Sequence, residues 1–238
     1  FINYDEEFVY YDVILKQHNA SNVLEIGCGS GNMAKRLLAA GYTYCGMDLS
    51  EEMLAIAKQQ LPQASFICAD MRWFSVATKF DAALIPGRSL SYILTLEDLQ
   101  KTFNSVYNSL HENGYFIFDV INADKFMPSI NSHETIVHTT NDNDKIYSRE
   151  SIFEINAQNP ASAWNWYAVY FVQQEGSSKT EIARDFTTLR SFYKNEIEEV
   201  LHQCGFEVVQ VNDRPSYAFD TLVFTAKKCK VPVYLSQQ

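Results

Sequence analysis

Residues Glu25-Ile26-Gly27-Cys28-Gly29-Ser30-Gly31 place three glycines at alternate positions, directly after the apolar run 23–26 and directly before the amphipathic stretch 33–40. A buried strand that breaks into such a loop and restarts as a helix brings bare backbone to the end of a sheet, where a ligand can lie against it with no Cβ atoms in the way. The spacing is G-x-G-x-G followed by Asn32, not the G-x-G-x-x-G of dinucleotide-binding loops.

The region 22–121 goes on alternating short apolar runs with amphipathic stretches, the pattern of βα units on a parallel sheet. Strands are expected at 44–47, 65–68, 80–85 and 115–121. Helices are expected at 33–40, closed by Gly41; after Ser50, stopped by Pro62; and after Thr95, with Leu99, Phe103, Val106 and Leu110 on one face and Asn113-Gly114 as its end. Beyond residue 125 the period changes to long alternating segments, 134–140, 146–155, 163–173 and 179–192, which predict antiparallel strands. A helix at 196–204, capped by Asn195 and closed by Gly205, leads to strands 206–211 and 221–226 that complete the first sheet. The fold class is α/β, a doubly wound, mostly parallel sheet with an antiparallel insertion after strand five. The expected division is a ligand-binding core at 1–125, a substrate-side cap at 126–192, and a return to the core at 193–238.

Composition narrows the function. With 19 basic against 29 acidic residues the formal charge is −10, which repels a phosphate backbone unless basic residues cluster. The densest run, Lys227, Lys228 and Lys230, reads as the solvated end of a last strand, so nucleic acid is not an expected partner. The five cysteines (Cys28, Cys45, Cys68, Cys204, Cys229) lack disulfide or zinc spacing and read as small buried residues in a reducing, cytoplasmic compartment. No run approaches the roughly 20 apolar residues of a membrane span. Because residue 1 is Phe, a leader segment is not judged, and the sequon at Asn19 reads as accidental.

Two acids follow the glycine loop at matching places. Asp48 ends the second expected strand, where a carboxylate can accept from both hydroxyls of a ribose or cap the turn before Ser50. Asp70 ends the third, where its carboxylate can accept from an exocyclic amine while Met71 offers a backbone N–H. Three such signals at the C-terminal ends of successive strands mark the usual ligand crevice of an open parallel sheet.

These residues resemble the class I S-adenosylmethionine-dependent methyltransferases. Glu25 to Gly31 is similar to that family's E/D-x-G-x-G-x-G loop, Asp48 to its ribose-binding acid and Asp70-Met71 to its adenine-side motif; Leu110 to Tyr115 resembles its turn before strand five. The resemblance implies a seven-stranded sheet with the last strand antiparallel, S-adenosyl-L-methionine as cofactor, and contacts to it from Tyr11, Glu25, Gly27, Cys28, Gly29, Gly31, Asp48, Leu49, Asp70, Met71 and Pro86. Within the class the chain looks most like small-molecule N-methyltransferases of the glycine and amino-sugar type, whose N-terminal Tyr-Asp segments are similar to Tyr4-Asp5 and Tyr10-Tyr11-Asp12. After strand four it reads Ile85-Pro86-Gly87-Arg88-Ser89, unlike the Asn/Asp-Pro-Pro-Tyr/Phe of enzymes acting on DNA bases or protein amides.

Methyl transfer is an in-line displacement, so orientation is its main requirement. An amine bound neutral needs no strong base, whereas an alcohol needs a base or a metal. No metal site is expected: His133-Glu134 with His138 is one residue too long for H-E-x-x-H and falls on an expected strand. Acceptor-side candidates are Arg88, Ser89 and Tyr92 after strand four, and Trp164, Trp166 and Tyr167 on the insertion, with Arg184, Arg190 and Tyr193 behind them. The expected activity is methyl transfer to a small molecule, at nitrogen rather than oxygen, by a monomer or homodimer. The alternatives are a non-catalytic S-adenosylmethionine-binding or partner-binding protein and a nicotinamide-dependent dehydrogenase.

Overall fold

The computed structural model describes residues 2–130, 133–158, 162–174, 177–216 and 219–229. Helix α1 (Tyr4–Gln17) is capped by Asn3, whose side chain accepts from the amides of Asp5 and Glu6. Five parallel strands and the helices between them follow: β1 (Asn22–Ile26), α2 (Asn32–Ala39), β2 (Thr43–Asp48), α3 (Glu51–Gln60), β3 (Ser65–Cys68), β4 (Phe80–Ile85), a 3-10 turn at Ser89–Tyr92, α4 (Leu96–Ser109) and β5 (Leu110–Ile121). Ser50 and Thr95 cap α3 and α4 as their positions predict. The short α5 (Ala123–Phe126) precedes four antiparallel strands, β6 (Ile136–Asp142), β7 (Lys145–Ile155), β8 (Ala163–Gln174) and β9 (Thr180–Arg190). Then α6 (Lys194–Gln203), β10 (Phe206–Pro215) and β11 (Asp220–Lys228) close the chain's described part.

The first sheet has the order β10-β11-β5-β4-β1-β2-β3, with β11 antiparallel to both its neighbours. Its central strands β1, β4, β5 and β11 are buried on both faces, with side chains alternating between them. Phe116, Phe118 and Val120 join Leu24, Ile26 and Phe224 against α4 and α6, while Ile117, Val23 and Leu84 face the other way, toward Tyr11, Leu15 and Leu37 of α1 and α2. The order reverses between β1 and β4, so their C-terminal ends diverge and leave a crevice. The second sheet, β6-β7-β8-β9, joins the first through backbone bonds from Phe192 N to Ile121 O and Ala123 N to Phe192 O, and through Phe126, Phe153 and Trp164 packed edge to face.

Several expectations are corrected. Strand β5 starts at Leu110, which pairs with Phe80, rather than at residue 115; the left-handed turn falls on Asn113 (φ 65°). Helix α6 begins at Lys194, and its first turn is closed by Glu196, which accepts from the Tyr193 amide; Asn195 lies inside the helix. Cys68 is exposed. Lys228 is not solvated: it is 7% exposed, with Nζ donating to the carbonyls of Tyr107 (2.9 Å) and Leu110 (3.0 Å) at the C-terminus of α4. An ammonium there satisfies orphan carbonyls and complements the helix dipole. Lys230 lies outside the described residues.

Replacing Lys228 with Met keeps the stem and strands those carbonyls, so urea unfolding should show a loss of about 1–3 kcal/mol. A loss below about 0.5 kcal/mol would show that water caps the helix equally well.

Candidate active site

The glycine loop leaves β1 in a conformation its residue types dictate. Gly27, Gly29 and Gly31 all have positive φ (77°, 53° and 85°), a region that L side chains seldom enter. Gly27 is constrained twice, because a Cβ there would stand 2.7 Å from Ser89 Oγ in the loop after β4. The carbonyl of Met47 accepts from the amides of Gly27 (2.7 Å) and Cys28 (3.0 Å), tying the loop to the end of β2.

Asp48, the next residue, accepts from the Gly29 amide through Oδ2 (2.7 Å) and from the Ser50 amide through Oδ1 (2.9 Å). It therefore performs the turn-capping role weighed for it, and half its lone pairs still face the crevice. Asp70 is gripped by Arg72, with Nη2 to Oδ2 at 2.6 Å and Nε to Oδ1 at 3.0 Å; these hydrogen bonds hold its carboxyl below the usual range.

Two cavities meet at the loop and share Gly27, Gly29, Met53 and Ser89 in their walls. One, of about 180 Å³, lies between the loop and the start of α1 and is lined also by Tyr4, Glu7, Glu25, Pro86 and Arg88. The other, of about 500 Å³, is lined by Asp48, Leu49, Asp70, Met71, Arg72 and Tyr92. Their shared walls form a waist, and the two ends fit an elongated ligand with polar groups at both, Asp48 and Asp70 at one end and Glu25 and Glu7 at the other. Leu49 is 68% exposed at the rim, where a planar base would cover it.

Under the first cavity lie two buried acids. Glu25 is 2% exposed and takes a 2.5 Å hydrogen bond from Tyr44 Oη; burial pushes its carboxyl up to about 8 against that bond, with Asp48 adding to the rise. Burial raises Cys28 as well, so its thiol stays protonated. Asp119 of β5 is 2% exposed and accepts from the Arg88 amide (2.7 Å); burial pushes it up to about 6, opposed by Arg88. Tyr11 is fully buried among α1 and the core, and its hydroxyl has no hydrogen-bond partner although Asp119, Glu7, Arg214 and Arg88 all act on it. Tyr11, expected to touch the cofactor, lines neither cavity; the bare glycine backbone and the acids at both ends fit the expected cofactor.

The acceptor-side candidates divide. Arg88 and Tyr92 line the cavities, and Arg88 also donates to Ser216 Oγ (3.1 Å). Trp164 does not wall a pocket: it is 0% exposed, enclosed by Phe126, Phe153 and Phe219, with Nε1 donating to Ser191 Oγ. Trp166, two residues on along the same face, is half-buried beneath the Arg149 guanidinium (4.9 Å). Tyr193 lines neither cavity. Tyr167 packs on Phe186 on the opposite face of the sheet from Trp166, and Arg184 pairs with Glu181 in solvent. Arg190 is buried, bonded to Glu196 and to the Leu94 carbonyl. No cluster of metal-ligating residues occurs among the described residues. Sequence reasoning missed Glu7, Met53, Arg72 and Asp119; the Arg two places after Asp70 was the one legible signal among them.

Gly27→Ala should cost cofactor affinity at least tenfold by calorimetry, because the methyl collides with Ser89 and forces a positive φ; unchanged affinity would mean that the loop shifts freely. Glu25 titrates higher folded than unfolded, so the folded chain keeps its proton between about pH 4.5 and 8. Its burial therefore lowers stability progressively as pH rises through that window. Glu25→Gln should flatten the fall in unfolding free energy between pH 5 and 8, and an unchanged slope would place its carboxyl in contact with water.

Residues 23–114 match the family model described as "Methyltransferase domain". The protein named "Putative methyltransferase YqeM" of Bacillus subtilis (strain 168) is 30% identical over 221 residues, covering 89% of this chain and 85% of that one. "Putative methyltransferase GWCH70_2453" of Geobacillus sp. (strain WCH70) is 28% identical over 237 residues, covering 90% and 88%. Among solved structures, a S-adenosylmethionine-dependent methyltransferase of Clostridium acetobutylicum ATCC 824 has a TM-score of 0.78 at 22% identity, covering 96% and 93%. CalS10 of Micromonospora echinaspora, described as an amino pentose methyltransferase and solved with S-adenosylmethionine, has a TM-score of 0.81 at 17% identity, covering 95% and 92%. The glycine loop, the strand order and a relative that matches across most of its length agree, and the chain belongs to the class I S-adenosylmethionine-dependent methyltransferases.

Proposed function

We propose that this enzyme methylates an amine nitrogen of a small polar molecule, and that the two joined cavities hold the cofactor with its methyl facing the loop after β4. The observation that carries the reading is the waist itself: Gly27, Gly29, Met53 and Ser89 belong to both walls, so a ligand spanning them has its middle beside residues 86–92. S-adenosylmethionine supplies an electrophilic methyl group on a sulfonium.

The chain's residues supply position. Asp48 accepts from the ribose hydroxyls with its remaining lone pairs, Asp70 and the Met71 amide take the base edge, and Glu25 faces the amino-acid end. Pro86 and Ser89 hold the loop, whose Arg88 amide is fixed by Asp119. The four antiparallel strands, within 126–192, form the acceptor side, with Tyr92 at the rim and Trp166 on the inner face. An amine bound in its neutral form needs only to be held in line with the methyl, and such alignment supplies on the order of 7 kcal/mol in favourable models. Nitrogen as the target draws support from KedS8 of Streptoalloteichus sp., described as a sugar N-methyltransferase. The net charge of −10 supports a small cationic or neutral acceptor over nucleic acid.

The test pairs amino sugars and amino acids with their hydroxyl analogues, using purified protein, S-adenosylmethionine and mass detection of the product. Methylation of an amine and not of its hydroxyl counterpart is the expected result; product on the hydroxyl compound alone would overturn the assignment to nitrogen.

A further inference from the structure

Asp70 is held almost entirely by one neighbour, and that neighbour is anchored from behind. Arg72 gives it three donors: Nη2 to Oδ2 (2.6 Å), Nε shared between Oδ1 (3.0 Å) and Oδ2 (3.2 Å), and the Arg72 amide to Oδ1 (2.9 Å). A carboxylate has about four lone-pair positions; with Nε straddling both oxygens, the three donors leave at most one for a ligand. The remaining arm, Nη1, reaches Asp98 on α4 at 3.1 Å, and Ser105 Oγ of the same helix donates to the Arg72 carbonyl at 3.0 Å. Lys101 in turn joins Asp98 (3.0 Å) and sits over the Trp73 ring (4.8 Å). The turn after β3 is thus pinned to α4 by a planar fork, and Arg72 and Asp70 both line the larger cavity.

Resting on the reading of Asp70 as the acceptor for the cofactor's exocyclic amine, we propose that Arg72 is the positioning residue that sets nucleobase specificity, by fixing Asp70 ionised with a single acceptor position open. An ionised carboxylate with its other lone pairs occupied cannot turn to suit a different partner. It receives an amino group and repels a ring carbonyl in the same place. A lysine cannot substitute fully, because a point ammonium does not hold two oxygens and Asp98 at once.

The experiment measures calorimetric binding of S-adenosylhomocysteine and S-inosylhomocysteine, which carries an oxo group in place of the amine, to the wild type and to Arg72→Met, Arg72→Lys, Asp98→Asn and Asp70→Asn. The ratio of the two affinities is read within each protein, so it does not depend on the folded fraction. The wild type should favour the adenosyl compound by about tenfold or more, the worth of one charged hydrogen bond. Arg72→Met should bring the ratio below about threefold, Arg72→Lys should fall between, and Asp98→Asn should lower it less than Arg72→Met does. A ratio kept at the wild-type value in Arg72→Met, or in Arg72→Lys should the Met variant fail to fold, overturns the role of Arg72 if Asp70→Asn lowers it. A ratio that Asp70→Asn also leaves unchanged overturns the reading of Asp70 itself.

Discussion

The site depends on the end of β2. Met47 offers its carbonyl and Asp48 its carboxylate to three amides of the glycine loop, and the second carboxylate oxygen starts α3 through Ser50. These bonds hold a loop whose three glycines all lie at positive φ, a conformation with little intrinsic preference in its favour. A charge-assisted bond at 2.7 Å selects it from the many that glycine allows. Cavity walls, helix start and the Asp48 carboxylate are in this way a single arrangement, and no part of it can be moved alone.

Acids concentrate around the same place. Glu25 on β1 and Asp119 on β5 are buried on either side of β4, and their raised carboxyls record the cost of that burial. Asp119 recovers part of it by fixing the Arg88 amide, which holds a non-glycine residue at φ 63°. Glu25 recovers part through Tyr44. A folded chain would be steadier with apolar residues there, and stability given up in this way is the usual pattern at a working site.

The parallel half of the fold was legible because its signals are local and redundant. An apolar run, a glycine loop and a capping Ser or Thr each mark the same boundary, so the elements from Asn22 to Gln60 fall within a residue or two of expectation. The failures have physical causes of another kind. The start of β5 at Leu110 is set by pairing with Phe80 thirty residues earlier, and the burial of Lys228 by the open carbonyls of α4, both invisible to a window of ten residues. In the site, Asp48 and Asp70 could be found because strand ends are countable. Glu7 and Asp119 could not, since only tertiary packing brings α1 and β5 to the loop after β4.

Trp164 shows why the acceptor side is the harder half to read. In sequence it and Trp166 are equivalent, two aromatics on one face of a strand. In the structure Trp164 falls where β8 crosses α5, and Phe126, Phe153 and Phe219 close around it, so it joins the two sheets. Trp166 lies one step farther from that joint and is only half-buried. The pleat period of two assigns both to the inner face but carries no information on distance from the joint. Anchoring at Trp164 therefore fixes how the inner face meets the crevice, and on the proposed acceptor side the choice of acceptor would fall to the residues beyond it, Trp166 and the rows toward the far end of β7 and β8. Substrate preference can then diverge on those rows while the joint and the cofactor crevice stay unchanged.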